Sequence, residues 1–243
     1  MTHKTIEQAR TPLAPQGGPL TPQIDPSELL MQEANHRIKN SLHLVATMLH
    51  LQARRHPDLP AVHNALIGAS HRVRAVAQLH DCLHRDAGGD LDAGAYLHDL
   101  CETLARSLGL SASHSVVVEA LDVSLRADQI LSLGLIVTEL VTNAVKHDLA
   151  PPGMCKVNVR LMSARHNTLL LLVADTGPGI PDSVLNGSTT GSGMRLVRQL
   201  AGSLRGRLEI DGTPPGSRFT VRFPMGPTGE PELNLVKSGT SCV

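Results

Sequence analysis

Residues 27–56 contain no glycine or proline, and Met31, Ala34, Ile38, Leu42, Val45 and Leu49 recur at steps of three or four. That period predicts a long amphipathic helix. Pro57 and Pro60 end it, and Leu66, Val73, Val76, Leu79 and Leu83 carry the same period on to Arg85, so a second helix follows. Two helices joined by a short connection make a hairpin. The apolar stripe of one hairpin is too wide to cover itself, and pairing with a second copy into a four-helix bundle is the economical way to bury it.

Beyond the linker Asp86-Ala-Gly-Gly-Asp90 the period changes. Residues 93–108, 126–147 and 194–204 read as helices, and residues 116–119, 157–161, 169–175, 207–210 and 218–223 as strands. The expected fold class is α + α/β: a helical hairpin over residues 25–87, then an α/β sandwich over residues 88–225. Residues 1–24 and 226–243, rich in Pro, Gly and polar side chains, read as disordered tails. A tail of that length is no sensor, so the expected source of input is a separate protein.

Composition narrows the function classes. Lys plus Arg and Asp plus Glu both total 22, so no overall field favours nucleic acid or an anionic membrane. There is no Trp, one Tyr and two Phe, which leaves an aliphatic core and no platform for stacking bases. Cys82, Cys101, Cys155 and Cys242 are scattered without a C-x-x-C pair, as expected of reduced structural thiols. No stretch reads as a membrane span, and the expected location is the cytoplasm.

On the first helix, taking 100° per residue from Ile38, the apolar stripe lies within about 40° and His36 about 160° away, on the outer face with Glu33, Asn40, His43 and His50. A solvated polar strip would look the same. Metal binding is the other possibility for a chain with 13 histidines. His36, His43 and His50, however, step by about 10 Å of rise, too far for one ion. His80 and His84 sit one turn apart but lack a third ligand of suitable spacing. An exposed imidazole in its neutral form keeps a ring lone pair for attack. Arg37 beside it would favour the neutral ring and could pair with phosphoryl oxygens, and Glu33 one turn earlier could orient the ring or take its proton.

Further on, Glu139, Asn143, Lys146 and His147 fall at i, i+4, i+7 and i+8 of one helix, where a carboxylate, an amide and a cation could meet a metal-bound triphosphate. An ordinary polar face explains that spacing as well. Asp175-Thr-Gly177-Pro-Gly179 then closes a strand, and Gly191-Ser-Gly193 opens a helix whose free N-H groups suit an anion. Ten residues, 181–190, separate Ile180 from Gly191 and would form a short lid.

Glu33-Ala-Asn-His36-Arg37-Ile-Lys39-Asn40-Ser-Leu42 resembles the acceptor box of the HisKA_2 and HWE-like histidine kinases, whose pattern is His-Arg-x-x-Asn. Arg72-Val-Arg-Ala-Val-Ala-Gln-Leu-His80-Asp81 resembles the second-helix pattern of the same family. The three boxes around Glu139 to His147, Asp175 to Gly179 and Gly191 to Gly193, with Gly216-Ser217-Arg-Phe219 as a closing strand, resemble the GHKL ATPases and their Bergerat sandwich. The resemblance implies ATP and Mg²⁺ as cofactors, autophosphorylation of His36, and a response regulator receiver domain as partner. It further implies Mg²⁺ at Asn143, the adenine amino group at Asp175, and Gly177, Gly179 and Ser217 on the adenine side. Gly191 and Gly193 would lie under the phosphates, Glu139 near the γ-phosphate, and Lys146 and His147 at phosphate or ribose. Two alternatives stay open: a phosphotransfer hub without kinase activity, and another GHKL ATPase such as a serine kinase.

Overall fold

The computed structural model describes residues 26–85, 90–110, 115–147, 156–180, 191–212 and 215–225. The two tails, the 181–190 lid, and Cys155 and Cys242 lie outside the described residues. The hairpin is α1 (Pro26–Arg55) and α2 (Pro60–Arg85), broken where His56 and Leu59 close a turn around Pro57. After it come β1 (Asp90–Asp92), α3 (Ala93–Ser107), β2 (Ser115–Ala120), β3 (Ser124–Arg126), α4 (Ala127–His147), β4 (Lys156–Ala164) and β5 (Thr168–Asp175). The last described elements are α5 (Ser192–Ser203), β6 (Arg207–Asp211) and β7 (Ser217–Pro224).

The sheet order is β2-β4-β5-β7-β6, with β2 and β4 parallel and the other neighbours antiparallel. Alternation does the sorting. Val157, Val159 and Leu161 of β4, Leu169, Leu171 and Val173 of β5, and Phe219, Val221 and Phe223 of β7 are buried on one face. Helices α3, α4 and α5 cover the same sheet. The opposite face carries Arg160, Arg218 and Arg222 toward water. This is the expected α/β sandwich behind the expected hairpin.

Two short strands were not foreseen. β1 and β3 pair antiparallel, matching buried Leu91 to buried Leu125, and three residues apiece leave no period to detect. Asp92 at the end of β1 caps α3, its Oδ1 accepting the Gly94 and Ala95 N-H groups at 2.8 and 3.1 Å.

Helix α4 corrects the expectation that no stretch could pass as a membrane span: residues Ala127–Lys146 are long and apolar enough. The reason is its place in the fold. Ile130, Leu133, Ile136, Val137, Leu140 and Val141 are all buried, because α4 lies between the sheet and α2 and is apolar on both sides.

Helix α1 does not meet α2 along the stripe centred on Ile38. Ala46 and Ala53 are fully buried and Leu42 and Leu49 half-buried at the hairpin contact, whereas Ile38 and Val45 are 46% and 45% exposed. The contact is thus turned by roughly 60° from Ile38. Alanines allow the close approach, and Ser70 Oγ donates to Ala46 O across it at 2.9 Å. The other half of the stripe, extended by Leu44, Met48 and Leu51, stays uncovered.

The expected boundary between residues 87 and 88 divides elements that share a core. Ala75, Leu79 and Cys82 of α2 belong to the same buried cluster as Tyr96, Leu97 and Leu100 of α3. Tyr96 is the pin. Its hydroxyl donates to Ala75 O at 3.3 Å, and its ring lies over Gly134 of α4, where a Cβ would stand 2.2 Å from the hydroxyl oxygen. Burial pushes the Tyr96 phenol well above its ordinary pKa and the Cys101 thiol up to about 12, so neither ionises. Cys82 and Cys101, both buried, are not joined in a disulfide.

Candidate functional site

His36 is exposed on α1, about 100° around the helix from the Ala46 and Ala53 contact with α2. Asn40, one turn on, brings its amide to 3.3 Å from His36 Nδ1. The amide can present oxygen or nitrogen to the ring, so it selects which ring nitrogen keeps a lone pair. Glu33 turns to Arg37 instead of the imidazole, accepting from Arg37 Nε at 2.9 Å. Among the described residues, no group of three or more His, Cys, Asp or Glu is arranged to hold a metal.

The second cluster forms where α4, the β5 end and the start of α5 converge. Asp175 accepts the Gly177 N-H at 2.8 Å through Oδ1 and the Ser217 hydroxyl through Oδ2. Ser217 is Asp175's register partner on β7, so the pairing is set by the sheet. Gly216 makes it possible: its φ is +90°, and a Cβ there would stand 2.0 Å from Asp175 O. Gly216 N-H also donates to Gly177 O at 2.7 Å, tying the closing strand to the glycine turn. Gly179 takes φ +86°. The carboxylate is thereby fixed with acceptor capacity to spare, since each oxygen offers two lone pairs.

Helix α5 starts at Gly191, which makes no side-chain cap to its first N-H groups. Gly193 approaches the α4 face so closely that a Cβ would lie 2.5 Å from Glu139 Oε2 and 3.7 Å from Asn143 Nδ2. Glu139, Asn143 and the α5 N-terminus therefore do meet. Lys146 is exposed further along the same helix, while the His147 side chain lies outside the described residues. A paired carboxylate and amide beside open N-H groups fit an octahedral cation that takes most of its oxygens from phosphate and water.

The sequence reading missed what holds Glu139. Its side chain is only 9% exposed, and Arg72 Nη1 of α2 meets Glu139 Oε1 at 2.5 Å. Next to it, His71, buried, lies 3.4 Å from Thr142 Oγ1. Burial, then the charges of Arg74, His50 and Arg72, lower the His71 pKa from 6.5 to about 4. Arg72 stood in the second-helix pattern, but nothing in one helix's period says which neighbour it will find.

Two family models match the chain. Residues 33–108 match HisKA_2, described as histidine kinase, and residues 128–227 match HATPase_c, the histidine kinase-, DNA gyrase B- and HSP90-like ATPases. The chain belongs to the histidine kinases of the HisKA_2 type. The sensor histidine kinase PdtaS of Mycolicibacterium smegmatis is 31% identical over 204 residues, covering 81% of this chain and 40% of that protein. Blue-light-activated histidine kinase 2 of Erythrobacter litoralis is 27% identical over 202 residues, 80% of this chain and 57% of that one. The chain thus spans well under two thirds of these relatives. The histidine kinase domain of the Erythrobacter litoralis EL346 blue-light activated kinase superposes with a TM-score of 0.61 at 25% identity, over 82% of this chain and 92% of that domain. Both matched segments of this histidine kinase chain contain the clusters described above, His36 in the first and the Glu139 and Asp175 groups in the second.

Proposed function

We propose that this chain is an ATP-dependent protein-histidine kinase that phosphorylates its own His36 and passes the phosphoryl group to an aspartate of a response regulator receiver domain. The observation that carries it is the exposed His36 imidazole with Asn40 on its Nδ1, in one chain with a cradle in which Glu139, Asn143 and Gly193 meet and Asp175 is held by Gly177 and Ser217. In the structure the Asn40 Nδ2 lies on Nδ1; with that amide flipped, its oxygen accepts the Nδ1-H and leaves the Nε2 lone pair free. Nε2 then forms the bond to the γ-phosphorus as the bond to the β,γ-bridging oxygen breaks, ADP leaves, and the ring sheds its extra proton to solvent. Such transfer asks chiefly for positioning and charge stabilisation.

In this reading Asp175 receives the adenine amino group, held by Ser217 and Gly177, and Gly179 shapes the same side. Gly191 and Gly193 lend backbone N-H groups to the phosphates. Asn143, with Glu139 near, holds Mg²⁺, which when bound neutralises phosphate charge. Lys146 and His147 add phosphate or ribose contacts. Arg37, exposed beside His36, is free at one edge of its guanidinium to meet the transferring phosphoryl group, with Glu33 orienting it.

The uncovered side of α1, with Ile38, Leu44, Val45, Met48 and Leu51 about half exposed, supports a homodimer in which a second hairpin completes a four-helix bundle. A separate sensor or input protein is a further partner in this reading, and ATP and reduced thiols are in keeping with a cytoplasmic setting.

Incubation with γ-labelled ATP tests the kinase reading. Label stable in base and labile in acid, lost in His36→Ala, is expected. Label stable in acid would favour a serine kinase, and nucleotide binding without label a phosphotransfer hub.

A further inference from the structure

The Arg72 to Glu139 ion pair joins the two halves of the molecule at the spot where the nucleotide cradle holds its carboxylate. It sits far from the acceptor. Lys39 pairs with Asp81 at 2.6 Å and Ser70 with Ala46 at 2.9 Å, which sets the antiparallel register of α1 on α2. That register puts His36 level with residues 80–84 of α2, eight to twelve residues beyond Arg72, or about 12–18 Å along the helix. In-line transfer needs the reacting atoms about 3–3.5 Å apart. A second copy related by a twofold along the bundle would carry its own His36 at the same level. The gap is axial, whichever protomer receives the phosphoryl group.

Resting on the kinase reading above, we propose that Arg72 is a positioning residue that, beside the Tyr96 contact with α2 and α4, docks the ATP-binding half on α2 out of reach of His36, and that transfer requires this ion pair and the packing around it to open. Three observations on the page converge. Glu139 is nearly buried and needs a cationic partner where it lies, and Arg72, half-buried, supplies it. His71 and Thr142 extend the contact by one more polar pair, with His71 held neutral in a dry setting. Glu139 also touches the α5 start at Gly193, so the group that anchors the dock is one that a bound nucleotide must engage. Glu139 then exchanges Arg72 for the cation that accompanies the triphosphate, which couples loading to release. Arg72 was no part of the predicted machinery, and its chemistry suits the role: a guanidinium binds a carboxylate with fixed geometry and stays charged at any working pH.

The test pairs a distance with a rate in the full chain. Spin labels at Gln52 of α1 and Arg198 of α5, both exposed, report the dock by pulsed electron resonance. Wild type and Arg72→Lys without nucleotide are expected to give one narrow distance. Arg72→Gln, or wild type with Mg²⁺ and a non-hydrolysable ATP analogue, is expected to broaden it. With ATP, Arg72→Gln is expected to phosphorylate His36 three- to ten-fold faster than wild type. A narrow, unchanged distance in Arg72→Gln overturns the proposal, as does a rate equal to or below wild type, the result if Arg72 instead served the phosphates. If wild type itself never labels His36, the kinase reading fails while the distances still decide the dock.

Discussion

Ser217 and Asp175 are register partners on adjacent antiparallel strands, and the serine hydroxyl donates to the aspartate's Oδ2 while Gly177 N-H holds Oδ1. Both carboxylate oxygens are therefore aimed before any ligand arrives. Asp175→Asn replaces a charged acceptor by an amide that must offer one N-H into the same crowd. Calorimetric titration with ATP is expected to show at least a ten-fold weaker Kd, and Ser217→Ala a smaller loss of about three- to ten-fold, in line with about 1 kcal/mol for one hydrogen bond.

Asn40 meets the His36 ring at Nδ1. Asn40→Ala should leave ATP affinity unchanged while slowing His36 phosphorylation about ten-fold, the size expected for losing one orienting hydrogen bond. Single-turnover labelling beside a binding titration separates the two. Equal losses in binding and rate would mean that Asn40 acts through the fold.

Tyr96 pins α3 to α2 and α4 together. Gly134→Ala puts a methyl where the Tyr96 ring already stands, and overpacking of that kind costs about 3 kcal/mol. Tyr96→Phe loses only the bond to Ala75 O, about 1 kcal/mol. Urea denaturation should rank the variants in that order.

His71 makes stability depend on pH. Its folded pKa, about 4, lies below the unfolded value of 6.5, so the unfolded chain binds more protons between those values. Its contribution is complete above pH 6.5, falls as pH drops, and is gone below about pH 4. The loss is on the order of 2 kcal/mol once partial water access at the protonated site is allowed for. Denaturation midpoints of wild type and His71→Gln, measured from pH 7.5 to 4.5, should converge at the acid end.

If a second hairpin covers α1, charge on that face should undo it. Val45→Glu with Met48→Glu is expected to halve the sedimentation mass with the helix content unchanged. A single copy at the wild-type mass would remove the bundle from the account.

Much of this was legible in the sequence because the signals are local. Proline breaks and three-to-four-residue steps fix α1 and α2, strict alternation fixes β4 and β7, a continuous apolar run fixes β5, and the glycines near Asp175 and at the start of α5 mark close backbone approaches. What stayed hidden depends on partners distant in sequence. The turn of α1 toward Ala46 and Ala53 is decided by how closely α2 can approach, which hydrophobicity alone does not weigh. The three-residue strands β1 and β3 exist through one leucine pair. Arg72 and Glu139 stand 67 residues apart, and only the packing of α2 on α4 brings them together.

The central claim is that His36 is the residue phosphorylated from ATP. Site-localised mass spectrometry at neutral pH, after brief incubation with Mg²⁺ and ATP, addresses it most directly. The predicted result is a phosphoryl group on His36 in wild type and none anywhere in Asn143→Ala. A phosphoryl group on another residue, or an unmodified chain that has bound and retained ATP, would contradict it.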